Sequence, residues 1–124
     1  MSYETNKEDK VRERRINYSI VVDAYGPEER SMSWYYYLHD SMKFPFRATC
    51  VKSKPVSPLT QGETVEVIGM PPEESCQNDM LVTIKFADRT MAVPLSQLEP
   101  VKPDKDTKQV VEDWHYWVRM GYRF

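Results

Sequence analysis

The side chains in this sequence best suited to chemistry are its carboxylates, and they gather by segment. Asp23, Glu28, Glu29 and Asp40 mark the ends of two expected helices, and Glu73, Glu74 and Asp79 fall between two expected strands. Glu112 and Asp113 open an aromatic stretch near the C-terminus. Any one of them has the composition of an ordinary solvated cap or loop. Asp40 fits that description least. It falls near the C-terminal end of its helix, where the carbonyl dipoles already disfavour an acid, and no lysine or arginine precedes it within a turn. A carboxylate placed there suits a bound cation. Ca2+ is the natural one, because it takes about 6–8 oxygens and helix-end carbonyls supply neutral ones. Two carboxylates about 4 Å apart repel by about 4 kcal/mol at an effective dielectric of about 20, a strain that a divalent ion relieves. No D-x-[DN]-x-[DN]-G run is present, so such a site is not an EF-hand and has to be assembled from separated segments.

Other chemistries find less support. Cys50, Cys76, His39 and His115 are the ligand types zinc prefers, but no CxxC or HxxxH spacing pre-sets a pair, and two reduced, buried thiols are expected instead. There is no GxSxG, P-loop or HExxH. An enzyme would need Asp40 or Glu112 with His39 or His115 in one pocket, and none is expected. The blocks Trp34-Tyr35-Tyr36-Tyr37 and Trp114-His115-Tyr116-Trp117 offer several ring faces. Neighbouring residues on a helix point in different directions, so packing between helices and sheet is the expectation for them.

The 19 acids and 17 bases nearly cancel, which disfavours a nucleic-acid partner. No apolar run is long enough for a membrane span, and MSYETNKEDK does not read as a signal peptide. A cytoplasmic location without membrane association is expected.

These side chains have to be positioned by an α+β fold. Residues 1–10 read as a disordered tail that stiffens near Lys10, and residues 11–124 as one domain. Ile16, Ile20, Val21 and Ala24 place a first helix over 11–25, stopped by Gly26. Pro27 opens a second helix that runs to Met42, with Glu28 and Glu29 in its first turn. Period-2 alternation in FRATCVK, ETVEV, LVTIKF and TMAV, with a last short strand after PLSQ, gives five strands over 46–101. Their spacing predicts a small SH3-like β-barrel flanked by two N-terminal helices and one C-terminal helix. That last helix covers 104–120, capped by Asp104 or Asp106 and buried along Val110, Val111, Trp114, Trp117 and Val118.

The segments DAYGPEER, WYYYLHDSMKFPF, PLTQGETVEVIGM, AVPLSQLEP and EDWHYWVRMGYRF, in this order, resemble the small CcbP-type calcium-binding proteins of cyanobacteria and related bacteria. The likeness runs from about Arg14 to Phe124. It implies a cytoplasmic protein, a buffer or signalling component, that binds Ca2+ through clustered acids without an EF-hand. Carried onto this chain, the acid ending the WYYYL helix is Asp40. Asp23, Glu73, Glu74, Asp79, Glu112 and Asp113 are further members of the implied metal set. One departure is that His39 stands where the family pattern commonly has an acid before that aspartate, and losing that charge weakens calcium or makes its binding pH-dependent. The alternative function is an SH3-like protein-interaction module without metal, offering an aromatic groove to a peptide partner.

Overall fold

The C-terminal helix shows how the chain organises itself. Asp104 caps it by accepting from the backbone N–H of Asp106 (3.2 Å) and Thr107 (3.4 Å). The helix α3 then runs Lys105–Arg119 and buries Val110, Val111, Asp113, Trp114, Tyr116 and Trp117. It ends where Gly121 adopts φ 81°, a left-handed conformation that glycine takes without steric cost. In chain order the computed structural model, which describes residues 8–124, has two helices before this one. The expected tail lies outside the described residues over 1–7. Asp9 and Lys10 are already structured: Asp9 caps a short helix α1, Lys10–Arg15, which continues as a π-helical turn over Ile16–Ile20.

The first helix was expected to reach Tyr25 and stops five residues earlier. Three β-branched residues in a row, Ile20, Val21 and Val22, crowd the preceding turn. The backbone widens so that the Val21 N–H reaches the Ile16 carbonyl at 2.9 Å, and Asp23 turns left-handed at φ 62°. The wider turn puts both Ile16 and Ile20 into the core. The helix α2, Pro27–Ser41, follows with Pro27 in its first turn and buries Ser31, Trp34, Tyr35 and Leu38, the i, i+3, i+4, i+7 positions of one face.

The five strands are β1 (Phe46–Cys50), β2 (Thr64–Gly69), β3 (Leu81–Phe86), β4 (Arg89–Pro94) and β5 (Leu98–Pro100). They form one antiparallel sheet in the order β4-β3-β2-β1-β5. Ala48, Cys50, Val65, Val67, Val82, Ile84 and Val93 are buried in it. Ala87, at φ 58°, closes the two-residue hairpin between β3 and β4, whose last pair is Phe86 with Arg89. The expected barrel is not formed as a closed one. Among the described residues no ladder joins the edge strands β4 and β5, so the sheet stays open. Both edge strands finish in proline, Pro94 and Pro100, which has no N–H to extend a ladder. The fold is α+β.

Helices and sheet meet around Trp34, which is completely buried. Its ring packs against Trp114 at 5.1 Å and Trp117 at 5.4 Å between centroids. A fully buried large apolar side chain contributes on the order of 1.5–3 kcal/mol, so this aromatic junction holds α2 against α3. The aromatic blocks are therefore largely core, with Tyr35 and Tyr116 buried and Tyr36 46% exposed. Of the tyrosines that the interaction-module alternative would use, Tyr35 and Tyr116 are in the core, Tyr37 is partly buried and Tyr36 is exposed.

Candidate metal centre

The acids separate into four places according to what each side chain faces. The first is the C-terminal half of α2. Tyr36 and Asp40 are one helical turn apart, and the Tyr36 hydroxyl donates to Glu73 in the single 3-10 turn Glu73–Cys76 between β2 and β3. That hydrogen bond to Glu73 raises the Tyr36 pKa, and the Asp40 charge adds to the effect. Glu73 and Glu74 are also felt at Tyr35, whose hydroxyl pKa rises mainly by burial. Tyr35 itself donates to the Pro71 carbonyl at 2.7 Å, fixing the turn against the helix. The end of α2 and the PPEE turn thus carry Asp40, Glu73 and Glu74 on neighbouring surfaces.

Asp40 has a side chain 73% exposed, and the one nitrogen base within 4.0 Å of its carboxylate, among the described residues, is His39, with Nδ1 3.5 Å from Asp40 Oδ1. Lys43, three residues on, turns instead to the start of α3 and pairs with Asp104 at 3.5 Å and Asp106 at 3.7 Å. Glu73 and Glu74 have no lysine or arginine within 4.0 Å among the described residues either. Beyond Ser41 the helix stops, so its last carbonyls lack partners from the helical ladder. His39 is exposed and its ring stacks on Tyr35 at 5.7 Å.

The second place is the turn after the π-helical segment. Asp23 accepts from the Tyr25 hydroxyl at 3.3 Å, and Glu29 accepts from the Tyr25 backbone N–H at 2.9 Å. The third is Asp79, half-buried in a cleft of about 610 Å³ that it shares with Trp114, Trp117 and Tyr122. Burial raises its pKa, with nearby Lys54 opposing.

The fourth place corrects an expectation. Asp113 is fully buried and is matched by bases, so its oxygens are already taken. It receives Arg15 Nε at 2.9 Å and Nη2 at 2.7 Å and the Tyr37 hydroxyl at 2.6 Å, and Arg12 Nε lies 2.9 Å away as an ion pair. Glu112 beside it faces Arg12 Nη2 at 3.4 Å. These two acids tie α1 to α3 and do not meet Asp40. Sequence reasoning missed that role; the one local trace of it is that Arg12 and Arg15, at i, i+3, share a face of one short helix.

Tyr37 reports on this network. Burial, with the Asp113 hydrogen bond added, pushes its hydroxyl up to about 12 from 10.0. The fold therefore favours the protonated form. That contribution is complete below the unfolded value and is lost as pH rises through about 12. In an ultraviolet titration Tyr37 should ionise among the last tyrosines, together with Tyr122, which its hydrogen bond to Glu13 also raises to about 12. Tyr37→Phe should delete one late step; an unchanged profile would contradict the assignment.

Of the histidines and cysteines, His39 stands beside Asp40 and Cys76 ends the turn that carries Glu73 and Glu74, while Cys50 and His115 belong to other parts of the fold. Cys50 and Cys76 are buried and free, Cys50 receiving Gln97 Nε2 at 3.6 Å and Cys76 the Leu81 N–H at 3.5 Å. His115 has its pKa lowered from 6.5 by burial, with Lys52 adding to the fall and the Leu98 and Leu95 carbonyls and Glu99 opposing it. Its contribution to stability is present above about 6.5 and is lost as pH falls through the lowered folded value. Urea midpoints measured from pH 7 downward should fall more steeply for the wild type than for His115→Gln. Parallel curves would contradict that origin.

Among the described residues no three Asp, Glu, His or Cys side chains converge as they stand. The crowding of acids expected from the sequence is thus distributed, and the acids of α2 and the PPEE turn, like Asp23, Glu29 and Asp79, have no lysine or arginine within 4.0 Å among the described residues. Their chemistry suits a hard cation: Asp40 and Glu74 are exposed carboxylates, Glu73 is held by the Tyr36 hydroxyl, and helix-end carbonyls lie beside Asp40.

Comparison with known proteins points to calcium as the ion. A family model described as calcium binding, that of the CcbP proteins, matches residues 14–118. No curated protein matches the sequence. The crystal structure of Anabaena CcbP is similar, with 40% identity and a TM-score of 0.84 over 95% of this chain and 97% of that one. A structure described as a calcium-binding protein in the calcium-binding form is similar to the same degree, 40% identity and TM-score 0.84, over 94% and 96% of the two chains. The chain belongs to the CcbP family of calcium-binding proteins.

Proposed function

We propose that this protein binds Ca2+ at the C-terminal end of α2, without an EF-hand loop, and acts in the cytoplasm as a calcium buffer or signalling component. The observation that carries the reading is Asp40: a carboxylate 73% exposed at a helix C-terminus, with no lysine or arginine within 4.0 Å among the described residues. The helix dipole opposes an anion there and no base offsets it, so a cation finds a potential that is already favourable. Glu73 and Glu74 in the facing turn add negative charge. The helix-end carbonyls and water would complete the roughly 6–8 oxygens that calcium takes. Likeness to a structure described as a calcium-binding protein in the calcium-binding form, over 94% of the chain, supports calcium as the ion.

The protein's own residues would do three things. Asp40 would supply the strongest ligand. The Tyr36 hydroxyl would orient Glu73 toward the helix end, since its hydrogen bond already holds that carboxylate. His39 would affect how strongly Asp40 holds the ion, because its Nδ1, 3.5 Å from Oδ1, contends for the same oxygen. Thermal melting tests the proposal. Calcium should raise the melting temperature of the metal-free protein and magnesium should raise it less, since Mg2+ gives up its water reluctantly and demands stricter octahedral geometry. No shift at millimolar calcium would overturn it.

A further inference from the structure

A small cavity of about 290 Å³ opens between α3, the single 3-10 turn Leu95–Gln97 and the segment after β1. Val51, Lys52, Ser96, His115, Val118 and Arg119 line it, and no acid does. Among the described residues, two of its polar atoms have no hydrogen-bond partner: the Oγ of Ser96, a residue only 6% exposed, and the buried Nε2 of His115. Native proteins satisfy the large majority of such groups, and leaving one bare costs about 1–3 kcal/mol. Two bare groups facing one cavity with two cations mark a place for an acceptor-rich ligand.

The lining is held in place by the fold. His115, Val118 and Arg119 share one face of α3 through i, i+3 and i+4 spacing. The Arg119 guanidinium is steadied over the Tyr116 ring, 5.3 Å from its centroid. On the opposite wall the backbone of Lys52 is pinned by Gln97, whose Nε2 donates to the Lys52 carbonyl at 3.0 Å. The Val51 N–H donates to the Gln97 carbonyl at 2.8 Å. Lys52 and Arg119 are exposed and Ser96 is buried, so the cations stand at the rim and the hydroxyl at the floor. Arg12, Lys108, Glu99 and Glu112 line the neighbouring cleft that shares His115 and Arg119.

We propose that this cavity binds a small tetrahedral oxyanion of the sulfate or phosphate class. Lys52 and Arg119 supply charge-assisted hydrogen bonds, Ser96 Oγ donates from the floor, and His115 donates from Nε2 in the form protonated there. The volume suits an anion of a few heavy atoms. The site shares no residue with Asp40 and its neighbours, so it stands independently of the calcium reading.

Sodium sulfate, with sodium chloride at matched ionic strength as control, tests the proposal by nuclear magnetic resonance of the full chain. Sulfate should give saturable shifts at the Ser96 amide and the His115 ring, and chloride should not. Lys52→Gln with Arg119→Gln should weaken sulfate by about tenfold or more, the loss expected for charge-assisted hydrogen bonds. Ser96→Ala, which deletes an oxygen the free protein leaves unpaired, should weaken sulfate without lowering the melting temperature. Asp40→Asn should leave sulfate affinity unchanged. If circular dichroism shows that the double variant does not fold, Lys52→Gln alone carries the test, because its side chain is exposed. Absence of saturable shifts, an equal response to chloride, or variants that bind as the wild type does would overturn the proposal.

Discussion

Asp113→Asn should destabilise the protein by about 3–5 kcal/mol, the cost of breaking a buried ion pair by removing one partner. The side chain of Asp113 is 0% exposed and those of Arg12 and Arg15 are 21% and 25% exposed. Losing the carboxylate therefore strands two guanidinium groups that water reaches only in part. It also leaves a single amide oxygen to serve both Arg15 and the Tyr37 hydroxyl, which now sits 2.6 Å from Asp113 Oδ2. Asparagine fills the same volume, so packing around Trp114 is preserved and the change isolates the charge. The partial exposure of the arginines places the expected loss at the lower end of that range. A shift of the urea midpoint at constant slope would measure it. A change near zero would mean that Asp113 is not what fastens α1 to α3. Calcium affinity of the folded variant should be unaltered, which separates this structural acid from the metal-binding ones.

The sequence announced the elements that depend on local chemistry. Gly26-Pro27 divided the first two helices, Asp104 capped the last, and the period-2 runs located the five strands of the sheet. What it could not announce depended on distant pairing. The π-helical turn at Ile16–Ile20 became visible only once both isoleucines had a core to enter. An open sheet and a closed barrel share one alternation pattern, because closure depends on whether the edge strands meet. The same limit governed the acids. Asp40 was legible from its place at a helix end with no neighbouring base, a local property. Asp113 looked alike in sequence, and its arginines lie about 100 positions away. Tyr36, which holds Glu73, was hidden among four consecutive aromatics of which the others turned inward.

The central claim concerns Asp40. A ligand that binds only the folded state stabilises it by about 2.7 kcal/mol at a hundredfold excess over its dissociation constant. If Asp40 is the principal ligand, calcium should confer that stabilisation on the wild type and little of it on Asp40→Asn. The substitution removes a negative charge from the unfavourable end of a helix dipole, so the metal-free variant should be as stable as the wild type or slightly more so. Loss of the calcium response would then reflect lost coordination and not a weakened fold.

Calorimetric titration of calcium into the metal-free wild type and into Asp40→Asn is the most direct measurement. The account predicts saturable binding by the wild type and affinity at least about tenfold weaker in the variant, a difference of roughly 1.4 kcal/mol. Equal affinity in the two proteins, or no binding by the wild type, would contradict it.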